Sequence, residues 1–186
     1  MKAILLDFGG IISLHKGLYY IPIYPDTDEW HKVEKGEIPE EEFWKKLEKF
    51  YQKSTEEILD MLVKEREPNT KLLDFLKEIK PKIKTGFITN SLSKLTRRLV
   101  EEWKLKEIFE VMVISSEEKL AKPDPQIFLL SLQKLKVSPE ECLYVGKKGS
   151  YVDVALSLGM RSFLYCNFDD FKERILRILE EEPEEK

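Results

Sequence analysis

Five short apolar runs separated by helical patterns constrain the fold more than any other feature of this sequence. Each run is four or five residues long, and most are followed by glycine or polar residues, as expected for strands buried on both faces of a parallel sheet. The intervening segments predict right-handed helical crossovers. The runs are residues 3–6, 85–88, 111–114, 142–145 and 161–165. We therefore expect an α/β three-layer sandwich with a parallel five-stranded, Rossmann-like sheet.

Helix-capping residues mark where several helices are expected to begin. A short polar side chain at such a position accepts a hydrogen bond from a free N–H group of the first turn. A Glu three residues later completes a capping box, and Pro is favoured at the first helical position. The predicted N-caps are Ser54, Asn69, Ser91, Asp124 and Ser138.

The segment between the first two strands is much longer than a single crossover helix requires. Residues 40–51 carry aromatic and aliphatic side chains on one helical face, and a second apolar helical pattern follows. These helices have apolar stripes of their own. We therefore interpret residues 15–80 as a small α-helical cap, inserted into a core of residues 1–14 and 81–186.

Aromatic residues and two histidines lie in or near the predicted cap. Tyr19, Tyr20 and Tyr24 form an aromatic loop that suits either a substrate pocket or a partner surface. His15 and His31 lack the further spaced ligands of a metal site. We expect packing or solvent exposure for both, although His15 follows the first strand closely enough to touch a substrate.

Composition limits the classes of function. The chain has 31 basic and 35 acidic residues, so we expect no nucleic-acid partner. No apolar run approaches the roughly 18–20 residues of a membrane span, and we expect no membrane partner. Two cysteines and a start unlike a signal peptide favour a reduced, cytoplasmic protein. The high charged fraction, 35%, also occurs in hyperthermophile proteins and makes a thermophilic source a hypothesis.

Polar residues follow the predicted strands at their carboxyl ends, where open parallel sheets bind ligands. Asp7 offers a nucleophile, Lys122 a positive charge, and the helix after Thr89 free N–H groups for a phosphate. We expect a small-molecule phosphate or another anion to bind here. The candidate residues are Asp7 and Lys122 as catalytic groups and Gly9, Gly10, Thr89, Asn90 and Lys147 as phosphate-binding groups.

These landmarks, in this order, resemble the motifs of the haloacid dehalogenase superfamily, in its subgroup of phosphatases with a small helical cap. The first motif is Asp7-Phe8-Gly9-Gly10, and the second ends in Thr89-Asn90-Ser91. The third is Lys122-Pro123-Asp124-Pro125, and the fourth extends from Gly146 to Gly159-Met160. Residues 34–44 are similar to the cap of these phosphatases, so the resemblance covers nearly the whole chain.

The resemblance implies a strand order of 5-4-1-2-3 and hydrolysis through an aspartyl-phosphate on Asp7. It also implies that Thr89 and Asn90 bind the phosphoryl group while Lys122 neutralises its charge. The family uses magnesium as its cofactor. For this chain we assign no cofactor, because the sequence departs from the family pattern at the metal site.

Two departures affect the implied chemistry. Gly9 stands where the family has its general acid and base, and it retains only the main-chain carbonyl that binds magnesium in the family. Lys147 stands where the family has a magnesium-binding acid. We expect its ammonium to occupy part of the metal's volume and to pair with Asp7. We assign no metal ligand, unless a rearranged loop brings Asp153 into the site.

Three functions therefore stay open. The first is a phosphatase-type hydrolase of a small phosphorylated metabolite, with weakened acid–base and magnesium functions. The second is an inactive relative that binds an anion or a partner. The third is a metal-independent haloacid dehalogenase-like enzyme, whose fourth motif would carry Ser, Asn and Asp where this chain has Gly146, Lys148 and Tyr151. Neither the substrate nor the oligomeric state follows from the sequence.

Overall fold

The computed structural model describes residues 1–16 and 27–181. The aromatic loop of Tyr19, Tyr20 and Tyr24 lies outside these residues. Within the two described ranges, no helix is long and apolar enough to cross a membrane.

Strands and helices alternate along most of the chain. The strands are β1 (Ala3–Asp7), β2 (Ser13–His15), β3 (Arg66–Pro68), β4 (Lys84–Thr89), β5 (Val111–Ile114), β6 (Cys142–Gly146) and β7 (Arg161–Leu164). The α-helices are α1 (Thr27–Glu34), α2 (Glu40–Tyr51), α3 (Thr55–Lys64), α4 (Thr70–Ile79), α5 (Ser93–Glu102), α6 (Ser115–Glu118), α7 (Pro125–Leu135), α8 (Gly149–Ser157) and α9 (Phe168–Glu181). Short 3₁₀ turns occupy Leu105–Glu107 and Pro139–Glu141.

Five of the strands form one parallel sheet in the order β7-β6-β1-β4-β5, and β2 pairs with β3 in a separate antiparallel sheet. The central strand is β1, whose Leu5 lies opposite Gly86 of β4 and Tyr144 of β6. Counting the strands of the parallel sheet alone, the order is 5-4-1-2-3. The numbers differ from the labels because the small sheet takes the second and third places along the chain.

Helices cover both faces of the parallel sheet, and the predicted α/β three-layer architecture is confirmed. Alternate residues of β1 enter opposite layers, because side chains of a strand point to opposite faces. Ile4 and Leu6 pack in the layer that contains α4, α5 and α9. Ala3 and Leu5 pack in the layer that contains α7 and α8. All four are fully buried, so β1 positions its carboxyl end rigidly.

The segment predicted as a cap contains α1 to α4. Helices α1, α2 and α3 contribute Val33, Trp44 and Leu59 to the apolar cluster. Helix α4 packs against α9, where the Phe75 ring centroid lies 6.0 Å from that of Phe171. The division into a core of 1–14 and 81–186 and a cap of 15–80 stays a prediction, with α4 in the layer that covers the sheet.

Predicted helix caps appear at Asn69, whose Oδ1 accepts from the Leu72 N–H at 3.3 Å, and at Asp124, whose Oδ1 accepts from the Gln126 N–H at 2.9 Å. Ser54 also caps its helix, with a complete capping box. Each of these caps uses N–H groups of the adjacent first turn, so the local sequence signals it.

The predicted cap at Ser91 is wrong, because α5 begins two residues later, at Ser93. Glu40 of α2 takes over the capping function. Its carboxylate accepts hydrogen bonds from the N–H groups of Ser93 at 2.7 Å and Lys94 at 2.9 Å. This contact uses N–H groups that were expected to face a phosphate, and it joins α2 to the core.

Candidate functional site

One cavity gathers the seven residues that the sequence marks as a candidate site. It lies at the carboxyl edge of the parallel sheet, faces α1, and has a volume of about 1170 Å³. Its floor comes from the ends of β1 and β4 and from the loops after α6 and β6. The seven are Asp7, Gly9, Gly10, Thr89, Asn90, Lys122 and Lys147. Their catalytic and binding roles stay predictions.

A buried ion pair joins Asp7 to Lys122. The side chains have exposed fractions of 8% and 1%, and the ammonium Nζ donates to Asp7 Oδ1. The same Nζ donates to the Ile88 carbonyl at 3.0 Å. Burial lowers the pKa of the Lys122 ammonium, and the Asp7 carboxylate opposes that change. Because each charge is paired inside the protein, the pair fixes the orientation of the Asp7 carboxylate.

Asn90 holds the main chain of Lys122 from both sides. Its Oδ1 accepts from the Lys122 N–H at 2.9 Å, and its Nδ2 donates to the Lys122 carbonyl at 2.8 Å. Both polar atoms of the Asn90 side chain are therefore engaged with protein. These two contacts position Lys122 towards Asp7, and the expected binding of a phosphoryl group by Asn90 stays a prediction.

Thr89 ends β4 beside this pair. The preceding residue, Ile88, lies opposite Asp7 in the register of β1 and β4. Thr89 itself is buried, with an exposed fraction of 5%, and lines the cavity. Its expected role in binding a phosphoryl oxygen stays a prediction.

Lys147 contacts Asp7 through its main chain only. Its N–H donates to Asp7 Oδ2 at 3.2 Å, whereas its Nζ lies 3.5 Å from the Tyr165 carbonyl oxygen. The expected ion pair between Lys147 and Asp7 is thus wrong. The reason is geometric: Lys122 occupies the ion-pairing position, and the turn after β6 directs the Lys147 side chain towards the end of β7.

The two glycines after Asp7 have different environments. A Cβ on Gly10 would lie 3.3 Å from Cγ of Lys147, and its φ of +77° favours glycine. A Cβ on Gly9 would have no heavy atom within 4 Å. Gly10 is therefore required by the close approach of Lys147, whereas the site has room for a side chain at position 9.

Lys148 and Tyr151 also line the cavity. The Tyr151 ring centroid lies 5.0 Å from Nζ of Lys122 and 5.3 Å from Nζ of Lys148. Both distances suit cation–π contacts. One aromatic ring therefore supports two ammonium groups at the floor of the cavity.

Tyr144 lies beneath this floor. Its hydroxyl is buried near the Asp7 carboxylate. Burial raises the pKa of the phenol, and the nearby Asp7 charge adds to this effect. A Cβ on Gly146 would lie 2.7 Å from Cε1 of Tyr144. Tyr144 thus explains why the strand ends in glycine at this position.

The donor set for a divalent cation is small. Among residues 1–16 and 27–181, no group of three or more His, Cys, Asp or Glu side chains is placed to hold a metal ion. Asp7 accepts a hydrogen bond on each carboxylate oxygen. Asp153 is exposed on α8 and is not among the residues that line the cavity, so the loop rearrangement considered for it does not occur in this structure.

The opposite wall of the cavity is polar. His15 of β2 also lines the cavity. Partial burial lowers the pKa of its imidazole, and the charge of Arg66 adds a smaller effect in the same direction. His31 Nδ1 lies 3.1 Å from Glu34 Oε2. Residues of α1 and the following turn supply most of this wall: Asp28, His31, Lys32, Glu34, Lys35 and Glu37.

Some residues of this site were not assigned a role from sequence. Lys148 and Tyr151 were considered only as replacements for family residues, although both follow Gly146 at a strand end, which is a usable signal. Tyr144 lies under the floor because its ring packs against Gly146, which has no side chain. The contact between Asn90 and Lys122 joins residues 32 positions apart and has no local sequence signal.

Comparison with known families gives a match over most of the chain. The model of the haloacid dehalogenase-like hydrolase family matches residues 23–164. A phosphorylated carbohydrates phosphatase of Thermotoga maritima is 28% identical over 181 residues, which span 86% of this chain and 82% of that protein.

Solved structures share the fold at lower identity. A haloacid dehalogenase family enzyme of Bacteroides thetaiotaomicron in complex with magnesium has a TM-score of 0.79 and 21% identity, over 94% of this chain and 98% of that one. Its complex with magnesium and inorganic phosphate has a TM-score of 0.76 at 21% identity, over 89% of this chain and 94% of that one.

Proposed function

The chain belongs to the haloacid dehalogenase-like hydrolase family, and on that basis we propose that its cavity binds the phosphoryl group of a small metabolite beside Asp7. In this proposal Asp7 is the nucleophile of a phosphatase-type hydrolase whose acid–base and magnesium functions are weakened. The observation that carries the proposal is the buried pair of Asp7 and Lys122, fixed by Asn90 at the floor of a polar cavity.

The retained groups support phosphoryl transfer to Asp7. A carboxylate oxygen attacks phosphorus, a new O–P bond forms, and the electron pair of the broken bond leaves with the oxygen of the leaving group. Thr89 binds a phosphoryl oxygen, and Lys122 balances the negative charge. Water then attacks the same phosphorus, which releases inorganic phosphate and restores Asp7.

Gly9 weakens both steps. It has no side chain to protonate the leaving oxygen or to activate the water. Positioned acid–base groups typically contribute about 10²- to 10⁴-fold to such rates. We therefore expect measurable turnover only for leaving groups that are stable as anions, such as aryl oxides.

The residues of this chain do not fit the magnesium ion that the family uses. Mg²⁺ requires near-octahedral oxygen donors, mainly carboxylates and waters. Here Asp7 is engaged on both oxygens, Lys147 stands where the resemblance implies a magnesium-binding acid, and Lys148 follows it at the end of β6. Two cations at this position repel a third. We propose that the protein has little or no magnesium-dependent activity.

The polar wall of the cavity favours a hydrophilic substrate. Charged residues of α1 face the cavity, and large apolar side chains are few among its lining residues. The name of the Thermotoga maritima relative, a phosphorylated carbohydrates phosphatase, supports the same class. We propose a small polyhydroxylated phosphate as the ligand.

Catalytic inactivity is the second candidate function. Gly9 and Lys147 together remove a proton-transfer group and a metal-binding acid, while the pair of Asp7 and Lys122 stays intact. Such a protein binds a phosphate-like anion without turnover. The haloacid dehalogenase-like alternative has less support, because Lys148 and Tyr151 replace polar and acidic groups that those enzymes require.

Release of phosphate from p-nitrophenyl phosphate, with magnesium and with a chelator, tests the proposal. We expect slow release that the chelator leaves unchanged and that Asp7→Asn abolishes. Asp153→Asn, on the exposed face of α8, is the matched control and should match the parent. Fast release that requires magnesium would contradict the weakened site. No release from any variant would select the inactive, anion-binding function.

A further inference from the structure

Lys148 has an unusual electrostatic environment for a lysine in a cavity. It lines the candidate site, yet it has no ion-pair partner within residues 1–16 and 27–181. Its ammonium instead lies against the Tyr151 ring, 5.3 Å from the centroid. Nearby, Lys122 is neutralised by Asp7, and Nζ of Lys147 faces the Tyr165 carbonyl. The positive charge of Lys148 is therefore unbalanced at the cavity floor.

Tyr151 keeps two like charges close together. The ring contacts the ammonium groups of both Lys122 and Lys148. The charge of Lys148 also contributes to the lowered pKa of Lys122. Asp7 already pairs with Lys122, so a further anion at this ring is required for the exposed ammonium of Lys148 alone. A dianion with several acceptor oxygens meets this requirement.

Apart from Asp7, which pairs with Lys122, the acids that line the cavity form no ion pair with Lys148 within the described residues. Asp28, Glu34 and Glu37 belong to α1 and the turn after it, and Glu67 belongs to β3. Glu34 contacts His31 on that wall. The floor and the opposite wall thus have different charge, which orients a ligand with an anionic end and a polar end.

We propose that Lys148, supported by Tyr151, binds the outer oxygens of a phosphate dianion in the place where relatives use a metal ion. Phosphate binding by this protein is then independent of magnesium. The inference rests on the proposed function, since it assigns the ligand of Lys148 to the phosphoryl group beside Asp7. It adds a binding residue and replaces the divalent cation by a side-chain cation.

The start of α8, next to Lys148, is loosely packed. A Cβ on Gly149 would have no heavy atom within 4 Å, and Lys148 makes no side-chain cap of the helix. The Lys148 side chain is therefore not required for local helix structure. Its removal should leave the fold intact.

Calorimetric titration with inorganic phosphate, in a chelator and in magnesium, tests the inference. We expect equal binding in the two buffers. Loss of one charge-assisted hydrogen bond in Lys148→Gln should weaken binding about tenfold, and Lys148→Arg should restore much of it. Lys82→Gln is the matched control, since Lys82 is exposed before β4, at the other edge of the sheet. It should bind like the parent.

A Thr89→Val arm separates this inference from the proposed function. Weaker binding in Thr89→Val but not in Lys148→Gln overturns the inference and leaves the proposed phosphoryl site standing. Weaker binding in Lys148→Gln alone overturns the proposed site at Thr89. Weaker binding in both variants supports both assignments. Binding that requires magnesium, or absence of binding in the parent, overturns the metal-independent site.

Discussion

The two halves of the candidate site match the motifs of the resembled family to different degrees. One half, which we call the retained half, consists of Thr89, Asn90 and Lys122. It is closely hydrogen-bonded, and it holds Lys122 against Asp7 through two contacts of Asn90. The other half, which we call the altered half, consists of Gly9, Lys147, Lys148 and Tyr151. Gly9, Lys147 and Tyr151 stand where the resemblance implies acids, and Lys148 adds a second cation beside them.

This difference separates two functions that usually occur together. The retained half provides charge and a hydroxyl for a phosphoryl group, and these do not depend on a metal. The altered half would provide proton transfer and metal binding, and its residues suit neither. Under our proposal, this chain binds an anion while its hydrolysis is weakened.

Restoring acids to the altered half should have the largest effect. We predict that Gly9→Asp combined with Lys147→Asp increases magnesium-stimulated phosphate release about 10²-fold or more. Gly9 has room for a side chain, and the main-chain contact of residue 147 with Asp7 is unaffected by the substitution. Gly9→Ala with Lys147→Ala removes the lysine without adding acids and should show no gain. An equal gain in both double variants would contradict the account.

Removing Lys122 tests the retained half through stability. We predict that Lys122→Met lowers the free energy of unfolding by about 3–5 kcal/mol, because Asp7 is left as an unpaired buried charge. The double variant Asp7→Asn with Lys122→Met should recover part of this loss in urea denaturation. Lys134→Met, which breaks only a surface pair with Glu118, should cost about 0–1 kcal/mol. A double variant no more stable than Lys122→Met would argue against the buried pair.

Asn90 should have an intermediate effect. Asn90→Ala removes two hydrogen bonds to the main chain of Lys122, and we predict a loss of about 1–3 kcal/mol in unfolding free energy. Phosphate binding should weaken as well, because Lys122 is less firmly held. Asn90→Asp keeps the acceptor for the Lys122 N–H but places a carboxylate oxygen against the Lys122 carbonyl, so it should not recover this loss. Unchanged phosphate binding in Asn90→Ala would limit Asn90 to a structural role.

The contact between α2 and α5 should have the smallest effect. We predict that Glu40→Gln lowers the free energy of unfolding by about 1 kcal/mol, because the charge at the N-terminus of α5 is lost and one of the two oxygens that accept from Ser93 and Lys94 becomes an NH2 donor. Glu41→Gln, on an exposed neighbour, is the control and should have less effect. Phosphate binding should stay at the parent value in both variants. A binding defect in Glu40→Gln would mean that this contact belongs to the site.

Elements with local signals could be predicted from sequence. The apolar runs predict all five strands of the parallel sheet to within one or two residues at each end, and the helix over residues 40–51 coincides with α2. Caps such as Asp124 depend on the adjacent N–H groups alone. The convergence of Asp7, Thr89 and Lys122 follows from strand direction, because parallel strands end at one edge of a sheet.

Side-chain direction in the loops could not be predicted in the same way. Lys147 follows the strand end as expected, but the turn after β6 directs its ammonium to the Tyr165 carbonyl. Ser91 is of a residue type that often caps helices, yet Glu40 of α2 accepts the hydrogen bond from the free Ser93 N–H of α5 instead. Both polar atoms of the Asn90 side chain bind the main chain of Lys122, which lies 32 residues away in sequence. Each outcome depends on tertiary contacts that no local pattern records.

The most direct test is a crystal structure obtained with phosphate and manganese, which takes oxygen donors similar to those of magnesium. Anomalous scattering then locates any metal independently of the phosphate. The account predicts phosphate between Thr89 and Lys148, with no anomalous peak at Asp7 and the Gly9 carbonyl. A manganese ion bound to Asp7 and the Gly9 carbonyl, with waters completing an octahedron, would contradict it.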